Sequence, residues 1–184
     1  VVTGDVTVNI GVLELGSYVG SGSVGNVYGG SALGAVNATK AQNGDLSATG
    51  SKTTSVNVNR GTVRGSVFGG GLGQTTPDII AAKSFGSAIV TIGNAGDANA
   101  APTIKGSVYG GSNANGVLLS DATVNIIRGT VGEITENEGV STLSGGNVHG
   151  GGFGQPTLVQ GNVTVNIGSK ENDDLYIGRA SCRE

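Results

Sequence analysis

Val27-Tyr28-Gly29-Gly30 is the first of four copies of one short motif in this chain. Each copy joins a valine, a ring side chain and two glycines, and the ring positions are Tyr28, Phe68, Tyr109 and His149. These positions are separated by 40, 41 and 40 residues. A fixed period of this size indicates a repeat protein, in which each unit buries its apolar face against its neighbours rather than in one globular core.

A strand pattern precedes the ring motifs and recurs once more near the end of the chain. β-Branched apolar residues alternate with Thr or Asn in segments at residues 6–10, 56–59, 89–92, 122–126 and 163–167. Such alternation is typical of a strand with one buried face. In the second unit we predict three short strands, at residues 55–59, 62–64 and 66–68, with glycines at the bends between them. A polar excursion over residues 74–87 then leads to the next unit.

Two unit types alternate along the chain. The first and third ring motifs end in Gly-Gly-Ser, whereas the second and fourth end in Gly-Gly-Gly. The rings of the latter two, at positions 68 and 149, lie 81 residues apart. The repeat is therefore a unit of about 40 residues arranged in alternating pairs. We assign the units to residues 5–50, 51–86, 87–121, 122–161 and 162–176.

These patterns predict an all-β fold, a parallel β-solenoid in the form of a right-handed β-helix. The right hand is expected because parallel crossover connections overwhelmingly take it. Successive coils would stack about 4.8 Å apart, so that equivalent residues form ladders along the axis. The patterns are compatible with one coil or two per unit, and with rings that face inward or outward. The predicted ladders are valines at 27, 67, 108 and 148, rings at 28, 68, 109 and 149, and amides of Asn9, Asn57, Asn125 and Asn166.

The composition argues against several other classes of protein. Glycine supplies 36 of the 184 residues, but without the every-third spacing of collagen. A hydrophobic content of 36% with only 12% charge argues against disorder. Because the net charge is −3 and the basic residues are scattered, we expect no nucleic-acid partner. No stretch approaches the roughly 18 apolar residues of a membrane span, so we expect no membrane insertion by this segment.

The last eight residues, 177–184, differ in character from the repeat. Their sequence, Ile-Gly-Arg-Ala-Ser-Cys-Arg-Glu, resembles the translation of a widely used sequencing-library adaptor. We therefore expect residues 1–176 to be a fragment of a longer β-solenoid from a metagenomic read, followed by a non-native tail. On this interpretation Cys182, the only cysteine, carries no information about redox compartment.

The combination of Val-Tyr/Phe-Gly-Gly with Thr-Val-Asn-Ile resembles glycine-rich repeats in large secreted or surface-attached proteins of gut Bacteroidota and some Firmicutes. The resemblance spans nearly all of residues 5–168. It implies an extracellular or cell-surface location and a structural, adhesin-like role within a larger repeat protein. The partners that it implies are glycans and host or cell-surface proteins, and it transfers no catalytic residue.

Few residues in the chain suggest chemistry. His149, the only histidine, occupies the ring position of the repeat, so stacking accounts for it. Gln74 and Gln155 stand where the Gly-Gly-x-Gly-x-Asp calcium motif has its aspartate, so we predict no metal site. Neither triple-glycine string continues into a P-loop or a dinucleotide motif, so we predict no cofactor. We predict no catalytic residue and expect that the protein is not an enzyme.

The alternative hypothesis is a carbohydrate-binding or polysaccharide-processing β-helix. In that case Tyr28 and Tyr109 are the candidate platforms for sugar stacking. Glu133, Glu136 and Glu138 cluster in an insertion and are the acidic candidates, because glycoside hydrolysis requires paired carboxylates. A solvated loop is the simpler explanation of the same cluster. Rings that point inward would argue against the sugar platform, and rings that stack outward beside the glutamates would favour it.

Overall fold

The computed structural model describes residues 1–20, 22–168 and 175–181, and every regular element in these ranges is a strand. Four parallel sheets run along the molecule, and in each of them the strands are stacked in chain order. Each passage of the chain adds one strand to each sheet in turn, so each unit makes one coil. The parallel β-solenoid predicted from the sequence is confirmed.

The four sheets are defined by the following strands. The first sheet contains the long strands Val6–Ile10, Thr53–Val58, Ser87–Ile92, Ala122–Ile126 and Val163–Ile167. The second sheet contains Ser23–Val24, Thr62–Val63, Thr103–Ile104, Gly129–Val131 and Leu175–Ile177. The third sheet contains Val27–Tyr28, Val67–Phe68, Val108–Tyr109, Asn147–His149 and Arg179–Ser181. The fourth sheet contains Ala35–Val36, Ala82–Ser84, Gly116–Leu118 and Thr157–Val159.

Three antiparallel hairpins project from the coils. The first hairpin pairs Val12–Glu14 with Ser17–Val19, and the second pairs Ala38–Lys40 with Leu46–Ala48. The third hairpin pairs Glu133–Asn137 with Val140–Ser144. The parallel sheets keep their register before and after each of them, so the hairpins are insertions into a constant coil.

The fourth sheet was missed by the sequence prediction. We predicted a polar excursion over residues 74–87, but this segment contains the strand Ala82–Ser84. Ala82 and Ser84 are each 1% exposed, whereas Lys83 between them is exposed. Alanine is depleted in strands and this strand has no β-branched residue, so its sequence does not resemble a buried strand. This segment forms a buried strand because of its position in the coil and not because its residues favour strands.

The first three sheets enclose a continuous apolar core. The predicted spacing of the long strands is confirmed, because the register aligns Val8, Val56, Val90, Val124 and Val165. The predicted valine ladder of the ring motif is confirmed as well and lies in the same core: Val27, Val67, Val108 and Val148. A fully buried valine contributes about 1.5 kcal/mol or more, so these columns are a main source of stability between coils.

The glycine pair after each ring lies where neighbouring coils approach each other closely. A Cβ on Gly69 would collide with the carbonyl oxygen of Gly110, and a Cβ on Gly110 would collide with that of Gly150. A Cβ on Gly30 would lie 2.6 Å from the backbone nitrogen of Gly71. Because the obstacles are backbone atoms, no side-chain rotation could relieve these contacts. Glycine is required here so that the coils can stack.

The alternation of the two unit types has a steric cause at the residue after the glycine pair. Ser31 and Ser112 occupy this position in the first and third coils, and Gly71 and Gly152 occupy it in the second and fourth. A Cβ on Gly152 would lie 2.5 Å from the carbonyl oxygen of Ser112, and one on Gly71 would lie 2.9 Å from the Cβ of Ala82. The even coils therefore pass too close to neighbouring atoms to carry a side chain at this position.

Side-chain to backbone hydrogen bonds connect the coils at the start of the third sheet. Asn26 Oδ1 accepts from the backbone N–H of Ser66 (2.8 Å), and Ser66 Oγ accepts from that of Ser107 (3.0 Å). Ser107 Oγ in turn accepts from the backbone N–H of Asn147 (3.1 Å). These bonds satisfy backbone donors beside strands that are only two or three residues long. They account for the Asn or Ser that precedes every valine of the ring motif.

The amide ladder of the first sheet is interrupted, and to that extent its prediction was wrong. Asn57 Nδ2 donates to Asn9 Oδ1 (3.0 Å), and Asn166 Nδ2 donates to Asn125 Oδ1 (2.8 Å). Thr91 stands between Asn57 and Asn125 in the register. A threonine has no amide with which to continue the column, so the ladder consists of two separate pairs.

The end of the described chain continues the coils. Leu175–Ile177 pairs with Gly129–Val131, and Arg179–Ser181 pairs with Asn147–His149. Part of the expected tail, residues 177–181, is thus accommodated in the second and third sheets, while Cys182 lies outside the described residues. The non-native origin of this tail stays a prediction.

Asp5 connects the first coil to the long strand of the second coil. Its carboxylate accepts a hydrogen bond from the backbone N–H of Thr53 (2.8 Å) and lies 3.4 Å from the ammonium group of Lys52. The Thr53 N–H, followed by the Lys52 charge, lowers the pKa of Asp5 below its usual value. The folded protein therefore favours the charged form of this exposed carboxyl group.

We expect Asp5→Asn to lower the free energy of unfolding at about pH 7 but not in acid. Because the folded-state pKa is lowered, the carboxylate contributes stability above about pH 4, and this contribution is lost as the pH falls through the lowered pKa. Urea unfolding of both proteins between about pH 7 and pH 3 measures the difference. Asp78→Asn, at an exposed loop acid, is the control. A difference between wild type and Asp5→Asn that is constant with pH would contradict this prediction.

Candidate functional site

The four ring side chains of the repeat form one continuous stack. The ring centroids are 5.0 Å apart for Tyr28 and Phe68, 4.9 Å for Phe68 and Tyr109, and 5.1 Å for Tyr109 and His149. The planes of neighbouring rings are inclined by only 6° or 7°. The predicted ring ladder is confirmed, and stacking accounts for the lone histidine as expected.

The rings lie outside the valine core but are covered by protein. Each valine of the motif points into the core, so strand alternation places the following ring on the opposite side. Even so, Phe68 is 2% exposed and Tyr109 is 7% exposed. Residues that follow the glycine pairs contact the stack: Asn113 Nδ2 donates to the Tyr28 hydroxyl (2.9 Å), and Phe153 packs against Tyr109 at 5.4 Å. The stack forms a second apolar layer on the outer side of the third sheet.

Asn113 and Phe153, which contact the rings, were not predicted from the sequence. Ala32, Leu72, Asn113 and Phe153 each lie four positions after a ring, and parallel bridges join them along the axis. Their fixed offset was the available signal. It was obscured because these four residues have no side-chain character in common.

This geometry leaves little ring surface for a sugar. Both faces of Tyr109 are covered, by Phe68 and by His149. Tyr28 has one face against Phe68, and its hydroxyl is engaged by Asn113. The two tyrosines therefore serve the stack, and Tyr109 has no free face on which a sugar ring could lie.

The three candidate glutamates lie on the third hairpin and are exposed. Glu133 forms an ion pair with Lys105 (2.9 Å), and Glu136 accepts a hydrogen bond from the Ser141 hydroxyl (3.4 Å). Because strand residues alternate between faces, positions 133 and 136 point in opposite directions. Glu138 lies in the turn, with a φ of 50°. The glutamates are close in sequence, but their side chains do not point toward a common site. They also lack the buried environment that raises the pKa of a catalytic acid.

The third hairpin is inserted at a corner that has the same length in the second and third coils. The corner between the second and third sheets is Val63-Arg64-Gly65-Ser66 in the second coil and Ile104-Lys105-Gly106-Ser107 in the third. In the fourth coil Val131-Gly132 precedes the hairpin and Gly146-Asn147 follows it. The register on both sides is kept, since Gly132 N bonds to Ile104 O (2.8 Å) and Gly178 N bonds to Gly146 O (3.0 Å). Gly132 and Gly146 are in close contact, so the inserted segment starts and ends at one place.

Among residues 1–20, 22–168 and 175–181, no three His, Cys, Asp or Glu side chains are grouped so that they could hold a metal ion. The described part of the chain has no helix of the length and apolar character needed to cross a bilayer.

Comparison of the chain with protein-family models, with curated proteins and with solved structures gives no match. Function therefore has to be inferred from the geometry of the coils, the hairpins and the grooves between them.

Proposed function

We propose that this chain is a segment of a secreted or cell-surface repeat protein in which a stiff β-solenoid presents loops for adhesion. The observation that carries the proposal is the third hairpin, which is inserted at a corner whose backbone pairing is unchanged on both sides. A scaffold that accepts loops without altering its coils is suited to display. Glycans and cell-surface proteins are the partners proposed for these loops.

The stiffness of the scaffold follows from how its coils are joined. In the first three sheets, every strand of the second, third and fourth coils is paired on both sides. The valine columns, the ring stack and the Asn/Ser hydrogen bonds add contacts that run along the same axis. In a solenoid of this kind the free energy of unfolding is approximately the sum of the stabilities of the single coils and of the interfaces between neighbouring coils. Bending the rod would strain several ladders at once.

The third hairpin has the character of a presented surface. Its first strand, Glu133–Asn137, is exposed throughout. Ile134 is 38% exposed and Val140 is 64% exposed, beside the glutamates. The Lys105–Glu133 ion pair connects the base of the hairpin to the neighbouring coil. These exposed apolar and charged side chains form the surface that we propose for contact with a partner.

Deletion of residues 133–145 tests both parts of the proposal. The remaining corner, Val131-Gly132-Gly146-Asn147, has the same length as the corners of the second and third coils. We expect the free energy of unfolding to change by less than about 1 kcal/mol, because a surface insertion is removed and no ladder is lost. We also expect beads coated with the wild-type chain to be retained on a mucin-coated surface and beads coated with the deletion variant to be retained less.

A variant in which a Gly/Ser segment of equal length replaces the hairpin is the matched control. It keeps the spacing and removes the hairpin surface, so it should resemble the deletion. Unfolding of the deletion variant would contradict the description of the hairpin as an insertion. Retention of wild-type beads no better than that of uncoated beads would contradict the adhesive role.

A further inference from the structure

A polar groove of about 430 Å³ lies on the outer face of the first sheet. Its volume is within the range of about 300–1,000 Å³ that is usual for small-molecule sites. The first hairpin begins on one side of it at Val12, and the segment that follows Ile92 begins on the other side at Gly93-Asn94. Among the residues that the structure describes, no charged side chain lines the groove. The side chains that line it are Asn9, Val12, Asn57, Asn59, Thr91 and Asn94.

Asn59 provides the groove with a side-chain amide that is not hydrogen-bonded to any of the described residues. It is only 6% exposed, and within the described residues its side-chain amide forms no hydrogen bond. The backbone of Asn59 is held in place, because the N–H groups of Asn59 and Arg60 both point to the carbonyl oxygen of Ile10 (2.8 and 3.3 Å). Buried polar groups in proteins nearly always have a partner. An amide that lines the groove, is more than nine-tenths buried and has no hydrogen-bond partner among the described residues indicates where a ligand would bind.

The neighbouring amides extend this capacity. The pair Asn9–Asn57 uses one N–H of Asn57 and one lone pair of the Asn9 oxygen. A side-chain amide has two N–H donors and one acceptor oxygen. Asn9 therefore keeps both N–H donors for a ligand, and Asn57 keeps one N–H donor and its oxygen. Thr91, next in the register after Asn57, adds a hydroxyl that both donates and accepts. The groove therefore offers mixed donors and acceptors along the axis of the solenoid.

We propose that this groove binds the hydroxyl groups of a neutral oligosaccharide. Hydroxyl groups donate and accept, as amides do, and they carry no charge. An anionic ligand would require Arg or Lys, and a hard cation would require carboxylates, and the described part of the lining has neither. A peptide strand would require a free sheet edge, whereas Thr53–Val58 at the groove is paired on both sides. This site is independent of the hairpin on which the proposed function rests.

The chain contains its own control for this site. Asn125 and Asn166 form the same kind of amide pair on the same sheet. There, however, Ile127 occupies the place of Asn59, with the same backbone geometry: Ile127 and Arg128 both donate to the carbonyl oxygen of Ile92 (2.9 and 3.3 Å). The second pair therefore lacks the buried amide, and we expect no binding there.

The test is an NMR titration of the ¹⁵N-labelled chain with neutral tetrasaccharides of glucose, mannose, xylose and N-acetylglucosamine. Tetragalacturonate serves as the charged comparison. We expect the side-chain amide signals of Asn9, Asn57 and Asn59 to shift with at least one neutral sugar, with a Kd of about 1 mM, because no aromatic ring is among the described residues that line the groove. We expect the signals of Asn125 and Asn166 to stay in place.

Variants separate the site from general surface effects. Asn59→Ala should weaken binding about 10-fold or more, because a hydroxyl group of the ligand loses its buried partner. Asn125→Ala should leave the affinity unchanged. If Asn59→Ala does not fold, Thr91→Val, which removes one hydroxyl at nearly constant shape, takes its place and should weaken binding several-fold.

Three results would overturn the proposal: no shift with any neutral tetrasaccharide, stronger binding of tetragalacturonate than of the neutral sugars, or equal loss of affinity in Asn59→Ala and Asn125→Ala. Loss of binding in Asn59→Ala with mucin retention unchanged would support the groove and separate it from the adhesive hairpin.

Discussion

Gly69→Ala is expected to lower the free energy of unfolding by about 3 kcal/mol, at the upper end of what overpacking of a core costs. The added methyl group would collide with the carbonyl oxygen of Gly110 on the next coil. It would also lie 3.1 Å from the Cβ of Ala88 and 3.1 Å from a methyl carbon of Val90. The methyl group would have the backbone of the next coil on one side and core side chains on the other. Neither could move away without weakening the contacts between the coils.

The backbone pairing at this corner makes the effect larger than a local clash. Gly69 N donates to Tyr109 O (2.9 Å), and Gly70 N donates to Gly111 O (3.0 Å). Any movement of Gly69 away from Gly110 would stretch both bonds. It would also separate the rings of Phe68 and Tyr109, which the same two coils hold 4.9 Å apart.

The matched control is Gly25→Ala. Gly25 lies two residues before the ring motif of the first coil, and a Cβ built on it meets no atom within 4 Å. This substitution should change the free energy of unfolding by less than about 0.5 kcal/mol. Urea unfolding followed by circular dichroism measures both variants. Equal losses in the two variants would show that close approach of the coils is not what requires glycine at position 69.

The coil architecture could be predicted because the strand pattern and the ring motif recur along the sequence. The intervals between Val8, Val56, Val90, Val124 and Val165 are irregular, yet these residues align in the structure. A parallel stack tolerates unequal coil lengths, since extra residues leave the coil as hairpins. The strand pattern and the ring motif therefore mark equivalent positions in successive coils, although the loops between them differ in length.

Other features depend on three-dimensional surroundings and have no pattern of their own. The strand Ala82–Ser84 is buried because the coil closes over it, and its residues do not favour a strand. The coverage of the rings depends on residues as different as Asn113 and Phe153. The groove depends on Asn59, whose side chain is placed by the corner at which two N–H groups share the Ile10 carbonyl. In the sequence Asn59 is only one asparagine among several.

Phe68→Ala is expected to lower the free energy of unfolding by about 3–5 kcal/mol, the cost typical of removing a buried phenylalanine. Phe68 is 2% exposed and stacks on Tyr28 and on Tyr109. Truncation would leave a cavity between two rings that are fixed by their own coils, so the surroundings could not collapse to fill it. The ring contacts add about 0.5–1.5 kcal/mol per aromatic pair beyond the burial of area.

Phe153→Ala is the matched control, because Phe153 touches the same stack but is 54% exposed and contacts Tyr109 at a tilt of 50°. Its truncation should cost less than about 1 kcal/mol, since most of its surface is already in water. A large loss for Phe68→Ala and a small one for Phe153→Ala would establish the ring stack as a second core, outside the valines. Similar small losses would mean that the rings are peripheral. Their faces would then be available to a ligand, and the sugar-stacking role of Tyr28 and Tyr109 would have to be reconsidered.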